Sequence, residues 1–490
     1  MLKQNIFENI GFYGLIIFCF DLSYGLIFAD LCVFYALIKR DVVLERHLFL
    51  GEIFMKRNIE NQLAGWKNAP RRKPLLVRGA RQVGKTYSIR ELGRTFEHFV
   101  EVNFELDKEV GSFFSGSLDP EPICKRLGAF YGESIVAGKT LLFLDEVQAC
   151  PDALRSLRFF YEKMPELHVV AAGSLLEFAL SELPSFGVGR IESLYLYPMS
   201  FLEFLLVTGN ESLVEMTRET SPGNPLEEPL HKRMVDLVRT FQLIGGFPEI
   251  VSHYVQTQDL LECHTLLDDL LATIRDDFAK YRGRISSSRL EEVFQSIAMQ
   301  SGAKFKYSNV HPDLSSAQGK QALDLLILAG LAHKIIHSDA QGLPLGGQVN
   351  PKRFKVIPCD TGLYQRLSGL ALPPQLVEPD SSFVNAGAVA EVFVGTELLA
   401  NANPRIRRQL HYWHREQRGS NAETDYVIQL ENSVVPIEVK SGTRGSMQSM
   451  RMFLDTHPAP YGIRTALEPF AQYDKIQVVP LYALWRLPEP

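Results

Sequence analysis

Two groups of residues in this 490-residue chain have the types and spacing that nucleotide chemistry requires. The stretch RGARQVGKTY contains eight consecutive residues that fit the pattern GxxxxGK[ST]. These residues are Gly79, Ala80, Arg81, Gln82, Val83, Gly84, Lys85 and Thr86. In such a loop the backbone N–H groups turn around a phosphate, the lysine reaches the β- and γ-phosphates, and the hydroxyl binds Mg²⁺. The pattern predicts an ATP-binding loop in which Lys85 and Thr86 have these two roles.

The second group is an acidic pair at the end of the stretch GKTLLFLDEVQ. The four apolar residues before Asp145 and Glu146 are typical of a buried parallel strand that ends at the carboxyl edge of its sheet. We expect Asp145 to hold Mg²⁺, and Glu146 to polarise the water that attacks the γ-phosphate. The alternative is a strand that ends in a solvated acidic turn. A later strand ends at Ser174, which can sense the γ-phosphate, although a serine there is more often a turn or cap residue.

A third group of residues lies on two neighbouring stretches near the C-terminus, AETDYVIQLE and VVPIEVKSG, which both have the pattern of strands. Glu438 and Lys440 are two residues apart, so they share one face of their strand. Asp425 lies beside them if the two strands pair as a hairpin. Glu391 is an acid on the otherwise apolar stripe of a preceding helix. The sequence therefore predicts a carboxylate–lysine cluster.

This order of a helix acid, an aspartate and an E-x-K strand resembles the PD-(D/E)XK nuclease fold. The resemblance implies that Glu391, Asp425 and Glu438 hold one or two Mg²⁺ ions. It also implies that Lys440 orients the attacking water or stabilises the negative charge that develops on the phosphate. The alternative is an antiparallel sheet whose E-x-K pair is an exposed, salt-bridged face.

The elements around the phosphate-binding loop alternate between strand and helix. PLLVRG has the pattern of a short strand, and the helix after the loop has Ile89, Leu92 and Phe96 on one face. Further strands are predicted at HFVEVNFEL and LHVVAAGS. This alternation predicts an α/β fold with a doubly wound parallel sheet.

Five stretches occur in an order that resembles a family of prokaryotic AAA-type ATPases: GARQVGKT, LLFLDEVQ, AAGS, GRIESLYLYPMSFLEFL and GGFPE. The resemblance extends over residues 55–490 and implies an ATPase followed by a helical segment and a C-terminal domain of unassigned function. It makes Arg190 the candidate for an arginine that touches the γ-phosphate, in cis or from a neighbouring subunit. The alternative for Arg190 is a surface ion pair with Glu192.

The middle of the chain has the order helix, turn, helix, strand and strand, which suggests a winged helix-turn-helix. The exposed side of its second helix carries Ser315, Ser316, Gln318 and Lys320. Because only one of these is cationic, whereas binding to a phosphate backbone normally uses several basic residues, we favour a protein partner over DNA for this region.

One stretch, NPRIRRQLHYWHREQR, concentrates basic and aromatic residues just before Asp425. Its side chains suit phosphate contact and base stacking, although an edge strand protected by charge has the same composition. The residues concerned are Arg405, Arg407, Arg408, His411, Tyr412, Trp413, His414, Arg415 and Arg418.

The composition is that of an ordinary globular protein, and the net charge of -6 argues against a protein that coats nucleic acid. Six scattered cysteines without a CxxC pair indicate a reducing, cytoplasmic compartment. The apolar N-terminal segment is interrupted by Asp21 and Asp30, so we interpret it as an extension outside the fold. Membrane association through residues 10–38 is the alternative.

The predicted organisation begins with the extension at 1–54 and the AAA-type core at 55–220. A helical segment at 221–262, a winged-helix-like region at 263–371 and a small α/β nuclease-like domain at 372–490 follow. The resulting hypothesis is an ATP-binding, Mg²⁺-dependent ATPase whose nucleotide cycle controls a C-terminal domain that acts on or binds nucleic acid. The alternative is a nucleotide-gated switch for a protein partner, with an inactive nuclease fold. Homo-oligomerisation is compatible with both.

Overall fold

The structure is a computed structural model, and the residues that it describes are 55–182, 189–281, 285–369, 386–417, 420–442 and 447–487. The predicted N-terminal extension, including residues 10–38, lies outside them. Within the described ranges, no helix combines the length and the apolar character that a membrane span needs. From Met55 onward the chain forms one compact unit.

A five-stranded sheet with the order β2-β3-β4-β1-β5 forms the first part of this unit, and all of its pairings are parallel. Its strands are β1 (Leu75–Arg78), β2 (His98–Asn103), β3 (Thr140–Asp145), β4 (His168–Ala172) and β5 (Glu192–Tyr195). β3 and β4 are buried along their whole length, as expected for strands covered on both faces. The predicted parallel sheet is confirmed.

The helix α1 (Ile59–Lys67) precedes β1, and further helices connect the strands. They are α2 (Lys85–Gly93), α3 (Pro120–Tyr131), α4 (Pro151–Lys163) and α5 (Leu176–Glu182). The phosphate-binding loop lies between β1 and α2, so its glycines precede the helix N-terminus as the sequence predicted. α3 and α4 both have proline in the first turn. Proline is tolerated there because the N–H groups of the first turn have no acceptor within the helix.

A helical region follows the sheet, with α6 (Phe201–Val207), α7 (Glu211–Arg218), α8 (Glu228–Ile244), α9 (Pro248–Thr257) and α10 (Leu260–Asp277). α8 ends at Gly245, whose φ is +73° and whose position leaves only 2.1 Å between an added Cβ and Asp360 Oδ1. The next residue, Gly246, donates its N–H to Asp360 Oδ2 at 2.6 Å and accepts from Met199 N at 2.6 Å. This glycine pair therefore joins the segment after the five-stranded sheet to the later part of the chain.

An eight-stranded mixed sheet with the order β12-β13-β11-β10-β9-β8-β6-β7 forms the second part. Its strands are β6 (Ala332–Ser338), β7 (Val349–Pro358), β8 (Leu410–Gln417), β9 (Ser420–Leu430), β10 (Ser433–Val439), β11 (Gly462–Ala466), β12 (Ala471–Tyr473) and β13 (Ile476–Pro480). The associated helices are α11 (Ser287–Gln300), α12 (Ser316–Leu328), α13 (Thr361–Leu367), α14 (Ala386–Ala400) and α15 (Gln448–Thr456).

The strands expected to form the wing of a winged helix are β6 and β7. They form an antiparallel pair, but β6 also pairs in parallel with β8. The pair is therefore part of the large sheet, which extends across the predicted domain boundary at residue 371. The sequence pattern predicted α12 and the two strands correctly, but the helix expected before the turn is only a three-residue 3₁₀ helix, Tyr307–Asn309, and the pattern did not show the non-local pairing.

A buried ion pair fixes the phosphate-binding loop from outside. Arg57 Nε lies 3.0 Å from Glu203 Oε1, and both side chains are at most 3% exposed. Arg57 also donates to the carbonyl oxygens of Val83, at 2.7 Å, and Tyr197, at 2.8 Å. Glu203 in turn completes the capping box with Ser200 at the start of α6. One guanidinium thus joins the loop, the segment after β5 and α6.

We expect Glu203→Ala to lower the free energy of unfolding by about 3–5 kcal/mol, because it leaves the Arg57 guanidinium buried without its counter-charge. Chemical denaturation measures this change. The matched control is Glu215→Ala, which removes an exposed carboxylate that pairs with Arg218, and it should cost less than about 1 kcal/mol. Equal losses for the two variants would contradict the importance of the buried pair.

Candidate functional site

The phosphate-binding loop has a backbone that requires glycine at its first position. Gly79 has a φ of +153°, and a Cβ there would lie 2.1 Å from Leu196 O on the segment after β5. Gln82 and Gly84 also have positive φ, at +61° and +93°. The loop therefore makes a tight turn against β5 immediately before α2, in the conformation that directs N–H groups inward.

Lys85 lies at the start of α2 and is buried beneath the loop. Its Nζ donates to Gly79 O at 3.0 Å and to Ala80 O at 2.6 Å. Burial lowers the pKa of Lys85 to about 8, although the carboxylates of Glu146 and Asp145 act in the opposite direction. A desolvated ammonium group whose hydrogen-bond acceptors are carbonyl oxygens is strongly stabilised by an anionic ligand, and a phosphate group is such a ligand.

Thr86 and Asp145 provide the oxygen atoms that Mg²⁺ prefers. The Thr86 hydroxyl lies 3.3 Å from Asp145 Oδ2 and 3.4 Å from Oδ1. Burial, and then the neighbouring Glu146 carboxylate, raise the pKa of Asp145 to about 6. The buried Asp145 and the partly buried Glu146 carry negative charge beside the Thr86 hydroxyl, and a divalent cation would neutralise this charge, so these residues fit Mg²⁺.

The structure brings Glu146 and Ser174 together. Glu146 Oε2 accepts hydrogen bonds from both the Ser174 N–H and the Ser174 hydroxyl, each at 3.1 Å. Gln148 Nε2 donates to the same oxygen at 2.5 Å. Glu146 itself has a positive φ of +46°, which is uncommon for a residue other than glycine. In this arrangement Ser174 orients the Glu146 carboxylate, and its role in sensing phosphate stays a prediction.

The two arginines predicted near the nucleotide have carboxylate partners. Arg81, within the loop, forms an ion pair with Asp277 at the end of α10. Arg190 lies 2.5 Å from Glu162 on α4, and its side chain is half-exposed. The expected alternative, a pair between Arg190 and Glu192, is wrong because Glu192 faces Arg405 instead, at 3.3 Å. The role of Arg190 at the γ-phosphate stays a prediction.

The C-terminal cluster is built on the expected hairpin of β9 and β10, with Tyr426 opposite Ile437. Asp425 Oδ2 accepts a hydrogen bond from Val439 N at 2.8 Å, which places Asp425 beside Glu438. Lys440 Nζ lies 2.6 Å from Glu438 Oε1. The hairpin thus brings Asp425, Glu438 and Lys440 together.

Lys355 on β7 is a member of this cluster that sequence reasoning missed. Its side chain is 1% exposed, and its Nζ lies 3.4 Å from Glu391 Oε2 and 3.7 Å from Asp425 Oδ1. It also forms an ion pair with Glu423 on β9, a second missed residue. Burial opposes the charge of Lys355, but the carboxylates of Glu391, Asp425 and Glu423 together raise its pKa above the ordinary range. The available signal was a lysine inside the apolar strand RFKVIP.

Burial disfavours the ionised form of the acids in the cluster. Burial and the Asp425 carboxylate raise the pKa of both Glu391 and Glu438, and burial raises the pKa of Asp425. One buried oxygen, Glu438 Oε2, has no hydrogen-bond partner. Within the part of the chain that the structure describes, no three acidic, histidine or cysteine side chains converge as metal ligands. The Lys355 ammonium group stands among the carboxylates instead, so the predicted Mg²⁺ site of Glu391, Asp425 and Glu438 does not fit this arrangement.

The aromatic residues expected to stack on bases are not accessible. His411, Tyr412 and Trp413 are all buried. The reason is the position of β8, which lies between β6 and β9 in the interior of the sheet rather than at its edge. Base stacking by these three residues is therefore excluded in this fold.

Comparison with known families finds three matching segments. Residues 71–205 match the family model of an AAA domain. Residues 235–373 and 386–484 match two domains of unknown function, DUF8612 and DUF4143. Comparison with curated proteins gives no match.

Solved structures with some similarity include two archaeal proteins. The Walker-type ATPase PABY2304 of Pyrococcus abyssi is 15% identical, over 64% of this chain and 96% of that one, with a TM-score of 0.41. The ORC1 protein of Aeropyrum pernix, solved in complex with DNA, is 13% identical, over 64% and 93%, with a TM-score of 0.26. The family match and the five-stranded parallel sheet together identify residues 71–205 as an AAA domain with the P-loop NTPase fold.

Proposed function

We propose that this chain is a Mg²⁺-dependent ATPase whose nucleotide state controls the binding of nucleic acid by its C-terminal domain. The observation that carries the ATPase proposal is the convergence of Lys85, Thr86, Asp145 and Glu146 at the carboxyl edge of the parallel sheet. A P-loop and an acidic pair at this edge are the groups that hold a triphosphate and activate water.

Each of these residues has a separate role. The Lys85 ammonium group contacts the β- and γ-phosphates. The phosphate oxygens then accept the hydrogen bonds that the carbonyl oxygens of Gly79 and Ala80 accept in this structure. Thr86 and Asp145 would hold Mg²⁺, which neutralises phosphate charge when bound. Glu146 accepts the proton of the attacking water, and Ser174 keeps its carboxylate in one orientation through two hydrogen bonds.

Control of the C-terminal part is supported by contacts that the phosphate-binding loop makes with later elements. Arg81 in the loop pairs with Asp277 on α10, which also binds Lys280 at 2.9 Å. A Cβ added at Gly330, between α12 and β6, would lie 3.2 Å from Ala80. A bound triphosphate would compete with Asp277 for Arg81, so nucleotide binding would act directly on the end of α10.

The C-terminal domain has two candidate activities. The carboxylate–lysine cluster resembles a nuclease site, which favours metal-dependent cleavage of nucleic acid. The position of Lys355 favours the second candidate, binding without cleavage, because an internal ammonium group supplies the positive charge that a metal ion would otherwise provide. We adopt binding without cleavage; a protein partner at the α11–α12 region and homo-oligomerisation remain compatible with it.

Lys85→Ala should weaken ATP binding by about 100-fold or more, because it removes a charge-assisted contact worth about 1.5–3 kcal/mol for each hydrogen bond. Titration with a fluorescent ATP analogue measures the dissociation constant. Lys139→Ala, which removes an exposed lysine of the same domain, is the control and should bind as the wild type does. Unchanged binding in Lys85→Ala would remove the P-loop from the proposal.

Glu146→Gln should bind ATP normally but hydrolyse it about 10²–10⁴-fold more slowly, since the amide keeps the shape of the side chain without accepting a proton. A phosphate-release assay with saturating ATP measures turnover. Glu105→Gln changes an exposed acid in the same domain and should leave turnover unchanged. Wild-type turnover in Glu146→Gln would show that another group activates the water.

The wild-type chain should bind nucleic acid without cutting it in either Mg²⁺ or Mn²⁺, because the Lys355 ammonium group already lies among the carboxylates that would have to hold the metal ion. Gel analysis of labelled DNA and RNA after long incubation tests for cleavage. The variants Asp425→Ala and Lys440→Ala should retain ATP turnover, since the two sites have separate cores. Metal-dependent cutting by the wild type that both variants lose would overturn this prediction in favour of the nuclease candidate.

A further inference from the structure

Arg81 occupies the third position of the phosphate-binding loop, beside the lysine that is expected to hold the phosphates. The Lys85 ammonium group donates to the carbonyl oxygen of Ala80, and this carbonyl belongs to the peptide that joins Ala80 to Arg81. The backbone here is fixed, because Ala80 is buried and lies against Gly330. The Arg81 side chain therefore begins within the phosphate site, and its guanidinium group can change position by side-chain rotation.

Arg81 also interacts electrostatically with the acid that is proposed to activate water. Burial lowers the pKa of Arg81, but the Asp277 carboxylate raises it, and the carboxylates of Glu146 and Glu105 raise it further. Glu146 acts on Lys85 in the same direction, against the larger effect of burial. Both cations therefore lie close enough to Glu146 to interact with it. The γ-phosphate has to lie among these three groups when water attacks it.

The other candidate arginine, Arg190, lies at the opposite end of the parallel sheet. β5 begins at Glu192, opposite Leu75 at the start of β1, and the two strands are parallel. Arg190 precedes β5, so it lies at the amino edge of the sheet. Arg81 follows β1 and lies at the carboxyl edge, where nucleotides bind. Within one chain the γ-phosphate is therefore within reach of Arg81, and Arg190 could act only from a neighbouring subunit.

In the structure Asp277, at the end of α10, holds the Arg81 guanidinium group. The Asp277 carboxylate binds two cations, since Oδ2 accepts from Arg81 Nη1 and Oδ1 lies 2.9 Å from Lys280 Nζ. Asp277 is buried, whereas the Arg81 side chain is 38% exposed and has space to rotate. If Arg81 leaves, Lys280 remains as the counter-charge, so the buried carboxylate is not left without a partner.

A terminal phosphate group is a stronger ligand for Arg81 than the Asp277 carboxylate is. It carries more negative charge, and its oxygens match the planar guanidinium group with two parallel hydrogen bonds. Binding of ATP therefore favours transfer of the Arg81 side chain from Asp277 to the γ-phosphate.

We propose that Arg81 is the arginine that contacts the γ-phosphate during hydrolysis, and that Asp277 withholds it until ATP is bound. The oxygen of the attacking water bonds to the γ-phosphorus while Glu146 accepts a proton from that water. The bond between this phosphorus and the β–γ bridging oxygen breaks, and its electron pair leaves with ADP. Arg81 stabilises the negative charge on the γ-phosphate oxygens in the transition state. This inference rests on the proposed ATPase activity, to which it adds a catalytic residue and regulation by the end of α10.

Arg81→Ala should lower kcat for ATP hydrolysis by about 10²–10³-fold and change KM much less, because it removes a donor to the charge of the transition state. A phosphate-release assay measures both constants. In equilibrium binding, the variant should retain the wild-type affinity for ADP but lose affinity for ADP with aluminium fluoride, which imitates the transferring phosphoryl group. The control is Arg71→Ala, which removes an exposed arginine before β1 and should behave as the wild type does.

Asp277→Asn should have the opposite effect on ATP binding. The amide keeps the shape of the carboxylate without its charge, so Arg81 is released and ATP should bind about two- to fivefold more tightly. The matched control is Asp276→Asn, which changes an exposed acid at the adjacent position and should leave the affinity unchanged. In a chain that already carries Arg81→Ala, Asp277→Asn should cause no further change, because the ion pair is absent.

Wild-type kcat in Arg81→Ala would overturn the catalytic role of Arg81 and leave the ATPase proposal standing. Loss of turnover in Arg190→Ala alone would assign the contact to a neighbouring subunit instead. Equal losses of affinity for ADP and for ADP with aluminium fluoride in Arg81→Ala would show that Arg81 only maintains the loop. Unchanged ATP affinity in Asp277→Asn would overturn the withholding of Arg81. Absence of ATP turnover in the wild type would refute the proposed ATPase activity, and this inference with it.

Discussion

The geometry of the phosphate site depends on the buried ion pair between Arg57 and Glu203. A buried pair is expensive to form, because both charges lose their hydration, and it persists only where hydrogen bonds satisfy the remaining polar atoms. Here the Arg57 guanidinium donates to Val83 O and Tyr197 O, while Glu203 accepts from Asn58 N at 2.6 Å and Ser200 N at 2.8 Å. The phosphate-binding loop is therefore fixed on its outer side by a segment that precedes it in sequence and by a helix that follows the sheet. Lys85 is buried beneath this loop, where the carbonyl oxygens of Gly79 and Ala80 accept the hydrogen bonds of its ammonium group.

The same tight packing makes the AAA domain and the C-terminal part mechanically continuous. Gly245 and Gly246 leave no room for a side chain between Met199 and Asp360, and Asp360 in turn accepts from Leu363 N at the start of α13. Phe201 N donates to the buried Glu397 on α14 at 2.8 Å. These contacts are short and buried, so a shift of the segment after β5 displaces α13 or α14. Together with the ion pair between Arg81 and Asp277, they provide a physical connection between the phosphates and the large sheet, whereas two domains on a flexible linker would have none.

Sequence reasoning succeeded where structure depends on local spacing. The phosphate-binding loop, the acidic pair after β3 and the hairpin of β9 and β10 involve neighbours in the chain, and their patterns are visible in short stretches.

Sequence reasoning failed where the interacting residue is distant in the chain. Lys355 precedes Asp425 by 70 positions, and the two meet only because β6 pairs in parallel with β8. That same pairing moves β8 into the interior of the sheet and buries Tyr412 and Trp413, which composition alone assigned to base stacking. The Arg190–Glu192 pair failed for a related reason, since Glu192 faces a residue more than two hundred positions later.

The carboxylate–lysine cluster shows how one lysine changes the chemistry that a set of acids can perform. Four carboxylates, Glu391, Glu423, Asp425 and Glu438, share two ammonium groups, those of Lys355 and Lys440. Burial raises the pKa of Glu391 and of Glu438, and the nearby Asp425 carboxylate raises both further, so the cluster favours the protonated form of these two acids more than solvent does. A divalent cation would have to displace Lys355 or use only the Asp425 and Glu438 side, where Glu438 Oε2 lacks a partner. Displacement is costly because the Lys355 side chain is buried and its backbone is paired with Lys304. Lys355 and the acids are therefore parts of one electrostatic arrangement, in which a single buried ammonium group offsets part of the negative charge of three carboxylates and occupies the place that a metal ion would need.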